Sequence, residues 1–300
     1  MSLRLVLSPR RWIVLGLLAT GVALSGCQTV RVGEQDLIRS NAALKNPPLA
    51  PVFDTAAAQA SWPGATVTEW QVPVGPDLAL RALHVQRPGA RATVLFIGGN
   101  LFRVDEGAAG ALRTWADAPV NLVMVDHRGH GRSPGSPTVA LMGDDAVRLF
   151  DLVRQRVSGP VFVHGFSLGS FVAGHVASAR PVDGLALTGS GTTVRALIES
   201  RVPWYARPVV VLDIDPALLV VDNVRATQAV QAPVLVVSAG QDTTTPPELG
   251  RALFDSLRSP DKRWLLVPEA THGNLLSQAA TREALAGWVK AHLPAVQAQR

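Results

Sequence analysis

A chain of 300 residues, 47% hydrophobic and 17% charged, with a formal charge of +5, is long enough for one large domain with a sizeable core. Its basic residues are scattered rather than striped, which argues against a nucleic-acid partner, and its single cysteine excludes an intrachain disulfide. There is no internal repeat, and no apolar run after the N-terminal region has membrane-spanning character.

Arg4, Arg10 and Arg11 precede the apolar stretch Trp12–Leu24, and Leu24-Ser25-Gly26-Cys27 follows. A basic start, a short apolar centre and small residues at the cut describe a secretory signal; the run is shorter than the roughly 20 residues of an ordinary spanning helix. Leu-Ser-Gly-Cys resembles the lipobox of bacterial lipoproteins. That resemblance implies that residues 1–26 are a removed signal peptide and that Cys27 is acylated, as by palmitate, at the head of the mature chain. With Gln28 rather than Asp next, it also implies a membrane partner at the periplasmic face of the outer membrane. Removal leaves 274 residues and takes away three arginines and no acid, so the formal charge falls from +5 to +2.

Residues 27–64 lack steady periodicity, and Asn46-Pro47-Pro48-Leu49-Ala50-Pro51 breaks any helix. They read as a tether with one short helix near Thr55 to Ala60, letting the domain stand off the bilayer. Thr66–Val72 and Leu78–Gln86, joined through Gly75-Pro76-Asp77, read as an antiparallel hairpin. The pattern then alternates. Strands are expected at Ala92–Ile97, Val120–Val125, Val161–Val163, Leu185–Thr188, Val234–Ser238 and Arg263–Val267. Helices are expected at Arg103–Trp115, Val139–Val157, Leu168–Ala179, Pro247–Leu257 and Ser277–His292. Such alternation implies an α/β fold, a mostly parallel sheet covered on both faces, with its site at the carboxyl ends of the strands. Thr192 to about Gln231 interrupts the rhythm with two apolar runs, Val209–Leu212 and Ala217–Val221, and reads as a small cap over the site.

The chemistry centres on Gly165-Phe166-Ser167-Leu168-Gly169, which follows one of these strands and opens a helix. In that setting the serine sits on a sharp strand-to-helix turn, exposed above a helix N-terminus. A serine hydroxyl needs a base, and the base an orienting acid; the expected chain order is Ser, acid, His. Asp242, after Ser238-Ala239-Gly240-Gln241, and His272, in Ala270-Thr271-His272-Gly273-Asn274, both lie at strand ends and fit that order. Asp213, Asp215, Asp222 and Glu269 are the rival acids. His84, His127, His130, His164, His175 and His292 lack the order or context of His272. No set has metal-ligand spacing, and no cofactor is expected.

Together these residues resemble the α/β-hydrolase superfamily, in its branch of small serine hydrolases with a single domain, over about residues 66–293. The resemblance takes in Gly98-Gly99-Asn100, similar to the family's His-Gly-x turn but with Gly98 in place of His, and Asp126-x-Arg128-Gly129-x-Gly131-x-Ser133. It implies an α/β-hydrolase fold over residues 65–300 with a cap insertion at about 192–231, and an oxyanion hole of backbone N–H groups from Leu168 and from Asn100 or Leu101. It also implies a small acyl substrate, an ester or thioester, cleaved through an acyl-enzyme on Ser167. Acyl transfer or peptide cleavage on the same three residues, and a non-catalytic periplasmic binding lipoprotein, are the alternatives. An aspartate-nucleophile dehalogenase or epoxide hydrolase fits less well, because a serine stands at the elbow.

Overall fold

The computed structural model describes residues 28–295; the expected signal segment and the expected acylation at Cys27 lie outside them. In chain order the elements are β1 (Gln28–Val32), α1 (Glu34–Leu37), α2 (Thr55–Gln59), β2 (Thr66–Gly75), β3 (Leu78–Gln86), β4 (Ala92–Ile97), α3 (Val104–Thr114), β5 (Val120–Val125), α4 (Val139–Arg156), β6 (Val161–Phe166), α5 (Leu168–Ala179) and β7 (Gly184–Thr188). There follow α6 (Val194–Ser200), β8 (Val210–Ile214), α7 (Pro216–Leu219), α8 (Asn223–Thr227), β9 (Val234–Ala239), α9 (Pro247–Ser256), β10 (Lys262–Val267), a 3₁₀ turn (His272–Ser277) and α10 (Ala279–Ala291).

Eight strands form one sheet in the order β10-β9-β7-β6-β4-β5-β3-β2. Only β3 runs against its neighbours; β10, β9, β7, β6, β4 and β5 are mutually parallel. The central strands are buried on both faces, so they are near-continuous apolar runs rather than alternating ones. Their period of two still sorts side chains between the layers. Val94 and Phe96 of β4 join the core with Trp115, Phe162 and Trp288, while Leu95 and Ile97 join the opposite core with Phe150, Val163 and Leu253. α4 starts where the Thr138 hydroxyl accepts the Leu141 N–H and ends with Arg154 and Arg156 at its negative pole. At its end, the last helix starts only at Ala279: residues from His272 form the 3₁₀ turn, and Gln278 is extended.

Residues 28–64 are not a free spacer. β1 pairs in parallel with β8, Val32 and Leu37 join an apolar cluster with Phe171 and Leu218, and Ile38, Phe53 and Trp62 are buried. The Trp62 indole N–H donates to the Leu112 carbonyl at 2.9 Å, and the Asn41 N–H donates to the Gly129 carbonyl at 2.8 Å. The physical reason is that Ile38, Phe53 and Trp62, dispersed among polar residues, are each buried against the domain, while Val30, Leu49 and Val52 stay exposed. A periodicity argument misses them because the segment is neither strand nor helix for most of its length.

Residues 192–231 leave the main sheet between β7 and β9 and form a small cluster of their own. Val194, Ile198, Ile214 and Leu218 pack on Phe171, one turn beyond Ser167. Three of the four rival acids are engaged within this excursion. Asp215 caps α7, Asp222 caps α8, and Asp213 pairs with the exposed Arg31.

Candidate active site

β6 delivers Ser167 at the carboxyl edge of the sheet with φ 55° and ψ −123°. For a residue with a Cβ this conformation costs about 1–3 kcal/mol, so the surroundings must impose it. They do so through two glycines and three hydrogen bonds. A Cβ on Gly165 would lie 2.4 Å from the Gly169 carbonyl oxygen, and one on Gly169 would lie 2.1 Å from that of Ile97. The Ser167 N–H donates to the Thr188 carbonyl at 3.0 Å, while its own carbonyl accepts the Ser170 N–H at 2.9 Å and the Ser170 hydroxyl at 2.6 Å.

Three distant residues meet here. His272 Nε2 lies 2.9 Å from Ser167 Oγ, and His272 Nδ1 lies 2.7 Å from Asp242 Oδ2. Asp242 follows β9 and His272 follows β10, and the two loops are tied where the Gln241 N–H donates to the Ala270 carbonyl at 2.8 Å. Burial by itself raises the Asp242 carboxyl, but hydrogen bonds from His272 and Thr245 outweigh it and hold its pKa below the ordinary carboxylate value. An ionised Asp242 only accepts, so the proton of the neutral imidazole sits on Nδ1, and Nε2 is left to accept from the serine. The His272 ring stacks on Phe166 with centroids 5.1 Å apart, which sets its plane.

Thr245 is a participant that sequence reasoning missed. Its N–H donates to Asp242 Oδ1 at 2.7 Å and its hydroxyl to Oδ2 at 2.7 Å, with the hydroxyl oxygen 3.2 Å from His272 Nδ1. The Thr244 N–H adds a third bond, to Oδ1, at 2.8 Å. The readable signal was the run Asp242-Thr243-Thr244-Thr245, an acid followed by residues whose N–H groups turn back on it.

The other side of the site is the turn after β4. Gly99 approaches so closely that an added Cβ would stand 3.2 Å from that of Ser167. Gly98 occupies the family's His position because the Phe102 ring fills the space: a Cβ there would meet it at 2.1 Å. The Asn100 side chain is tied to the end of α1, accepting the Arg39 N–H at 2.6 Å and donating to the Leu37 carbonyl. Leu101 is largely exposed. Leu168 is the first residue of α5, so no helical carbonyl takes its N–H.

The remaining candidates sit elsewhere. His164 is wholly buried behind the elbow, 2.9 Å from the Thr188 hydroxyl, and burial pushes its pKa down to about 3. His127 and His130 are buried in the loop after β5, His84 packs on Trp70, and His292 meets Asp261. In that loop Asp126 accepts the Val104 and Arg132 N–H groups, tying it to the start of α3. Glu269 is exposed. Among the described residues no group of three or more His, Cys, Asp or Glu is arranged to hold a metal ion.

Two family models match the chain: one described as serine aminopeptidase, S33, over residues 90–212, and one described as TAP-like protein over residues 216–296. An uncharacterized Mycobacterium tuberculosis protein is 29% identical over 158 residues, 52% of this chain and 54% of its own length. The zebrafish (Danio rerio) lysophosphatidylserine lipase ABHD12 is 29% identical over 180 residues, 54% of this chain and 46% of its own. The chain thus spans about half the length of the curated relatives it matches. Among solved structures, a Pyrococcus furiosus esterase aligns at TM-score 0.64 and 14% identity, covering 83% of this chain and 99% of its own. The ferulic acid complex of Est1E from Butyrivibrio proteoclasticus aligns at 0.60 and 16%, covering 74% and 98%. At such identities the likeness is one of fold.

Proposed function

The chain belongs to the α/β-hydrolase superfamily, and from that premise we propose that it is a serine hydrolase that cleaves carboxylic esters or thioesters through an acyl-enzyme. One observation carries the reading: the unbroken relay from Ser167 Oγ through His272 to Asp242, at 2.9 and 2.7 Å. As Ser167 Oγ bonds to the acyl carbon, its proton passes to His272 Nε2, and the imidazolium so formed faces the Asp242 carboxylate. The carbonyl oxygen, now negative, is held by the N–H groups of Leu168 and of Asn100 or Leu101, worth about 2.7–4 kcal/mol per donor. Collapse breaks the bond to the leaving alcohol or thiol, which takes the proton from His272. Water then attacks the acyl-serine, with His272 accepting its proton and returning it to Ser167 as the acid leaves. The excursion at 192–231 is a wall of the acyl site in this reading, since Leu197 comes up against Gly191, just beyond the Gly189 that borders His272.

A lipid acyl substrate accords with the lysophosphatidylserine lipase among the relatives and with an acylated Cys27 at the periplasmic face of the outer membrane. Amide cleavage is the second reading, favoured by the serine aminopeptidase description of the matching family model. Labelling by a fluorophosphonate of the wild type and not of Ser167→Ala tests the nucleophile; no labelling of either overturns the reading. Graded acyl esters against aminoacyl amides then separate esterase from peptidase, and palmitate incorporation lost in Cys27→Ala tests the anchor.

A further inference from the structure

The two strands of the small sheet are parallel, so β1 and β8 begin at the same end, where the Gln28 N–H donates to the Val209 carbonyl at 2.7 Å. The turn Val202–Val209 stands at that end. On it Trp204 and Tyr205 are 79% and 68% exposed, with their rings edge to face at 5.9 Å. No other described tryptophan is exposed in this way; Trp62, Trp70, Trp115 and Trp288 are buried. Val209 and Val211 are also exposed. Arg201 and Arg207, both exposed, flank the aromatic pair, and no acid occurs between Glu199 and Asp213. In the sequence, Ser25, Gly26 and Cys27 alone separate β1 from the apolar run Trp12–Leu24. Three residues reach at most about 10 Å. A bilayer holding either the apolar run or an acylated Cys27 is therefore within reach of the turn.

We propose that the turn Val202–Val209 docks on the phospholipid bilayer, with Trp204 and Tyr205 in the headgroup layer and Arg201 and Arg207 against lipid phosphates. The proposal rests on the reading of residues 1–27 as the membrane attachment. Tryptophan and tyrosine carry an apolar body and a polar tip, which suits them to that layer, and arginine there gains from anionic lipid. Docking at this end bears on the orientation of the whole domain, because β1 runs on through α1 to Leu37 and Arg39, which the Asn100 side chain ties to the turn after β4.

The test uses the full chain in vesicles of phosphatidylcholine and phosphatidylglycerol, with and without brominated acyl chains, comparing wild type with Trp204→Phe by tryptophan emission. The difference between the two reports Trp204 alone. The expected result is that Trp204 emission is lost to brominated lipid and shielded from aqueous acrylamide, and that Val220→Asp, changed at an equally exposed residue after the far end of β8, keeps the loss. A chain that floats with the vesicles while Trp204 stays open to acrylamide overturns the docking and leaves the attachment standing. Shielding from acrylamide without loss to brominated lipid also overturns it, in favour of cover by residues 12–24 or by a second copy. A chain that does not float overturns both.

Discussion

Asp242→Asn isolates what the buried carboxylate does, and the hydrogen bonds around it decide the outcome. Oδ1 receives two backbone N–H groups, from Thr244 at 2.8 Å and Thr245 at 2.7 Å. The amide oxygen of an asparagine must take that place, since an NH₂ there would face two donors. The NH₂ then falls on the Oδ2 position, 2.7 Å from His272 Nδ1. Nδ1 can meet it only by accepting, which moves the ring proton to Nε2, facing Ser167 Oγ. The base is then in the wrong tautomer. By analogy with the same exchange in other serine triads, kcat falls about 10⁴-fold, equivalent to about 5.4 kcal/mol. KM on a short soluble ester should stay within a few-fold, because the Asp242 side chain is fully buried and touches no substrate. Steady-state kinetics and the rate of fluorophosphonate labelling both read the effect. A variant within tenfold of wild type in both would refute the assigned relay.

Other outcomes follow from the same contacts. Gly98→Ala should lower unfolding free energy by about 1–3 kcal/mol in urea titrations, and much of that cost should vanish in a Phe102→Ala background, where the clashing ring is gone. Asn100→Ala removes the acceptor of the Arg39 N–H, so hydrogen exchange at Arg39 should quicken about five- to tenfold. Burial lowers the pKa of His84 to about 4 and of His127 and His164 to about 3, against 6.5 unfolded. The unfolded chain therefore binds more protons between pH 6.5 and about 4, and stability should fall as pH drops through that window. His164→Gln cannot charge and should reduce the slope there by about 1.4 kcal/mol per pH unit; an unchanged slope would show that His164 is charged in the fold.

The sequence by itself determined whatever depends on neighbours along the chain. The central strands are runs of β-branched and large apolar residues closed by Gly, Pro or Asp, so β4 and β5 lie where composition put them. The elbow was equally legible, because the sharp strand-to-helix turn that holds Ser167 at positive φ leaves no room for a Cβ two residues to either side, and Gly165 and Gly169 are written into the motif. Asp242 and His272 could be named from their places after late strands, a matter of order rather than distance. What only the tertiary structure decided depends on pairs far apart in the chain. The pairing of β1 with β8 joins segments some 180 residues apart, and neither has a periodicity that announces a partner. The same holds for Asn100 gripping Leu37 and Arg39, and for Phe102 filling the space that leaves Gly98 without a side chain. Such contacts arise from the shape of the surface that remains once the core has packed, and a one-dimensional pattern carries no record of that surface.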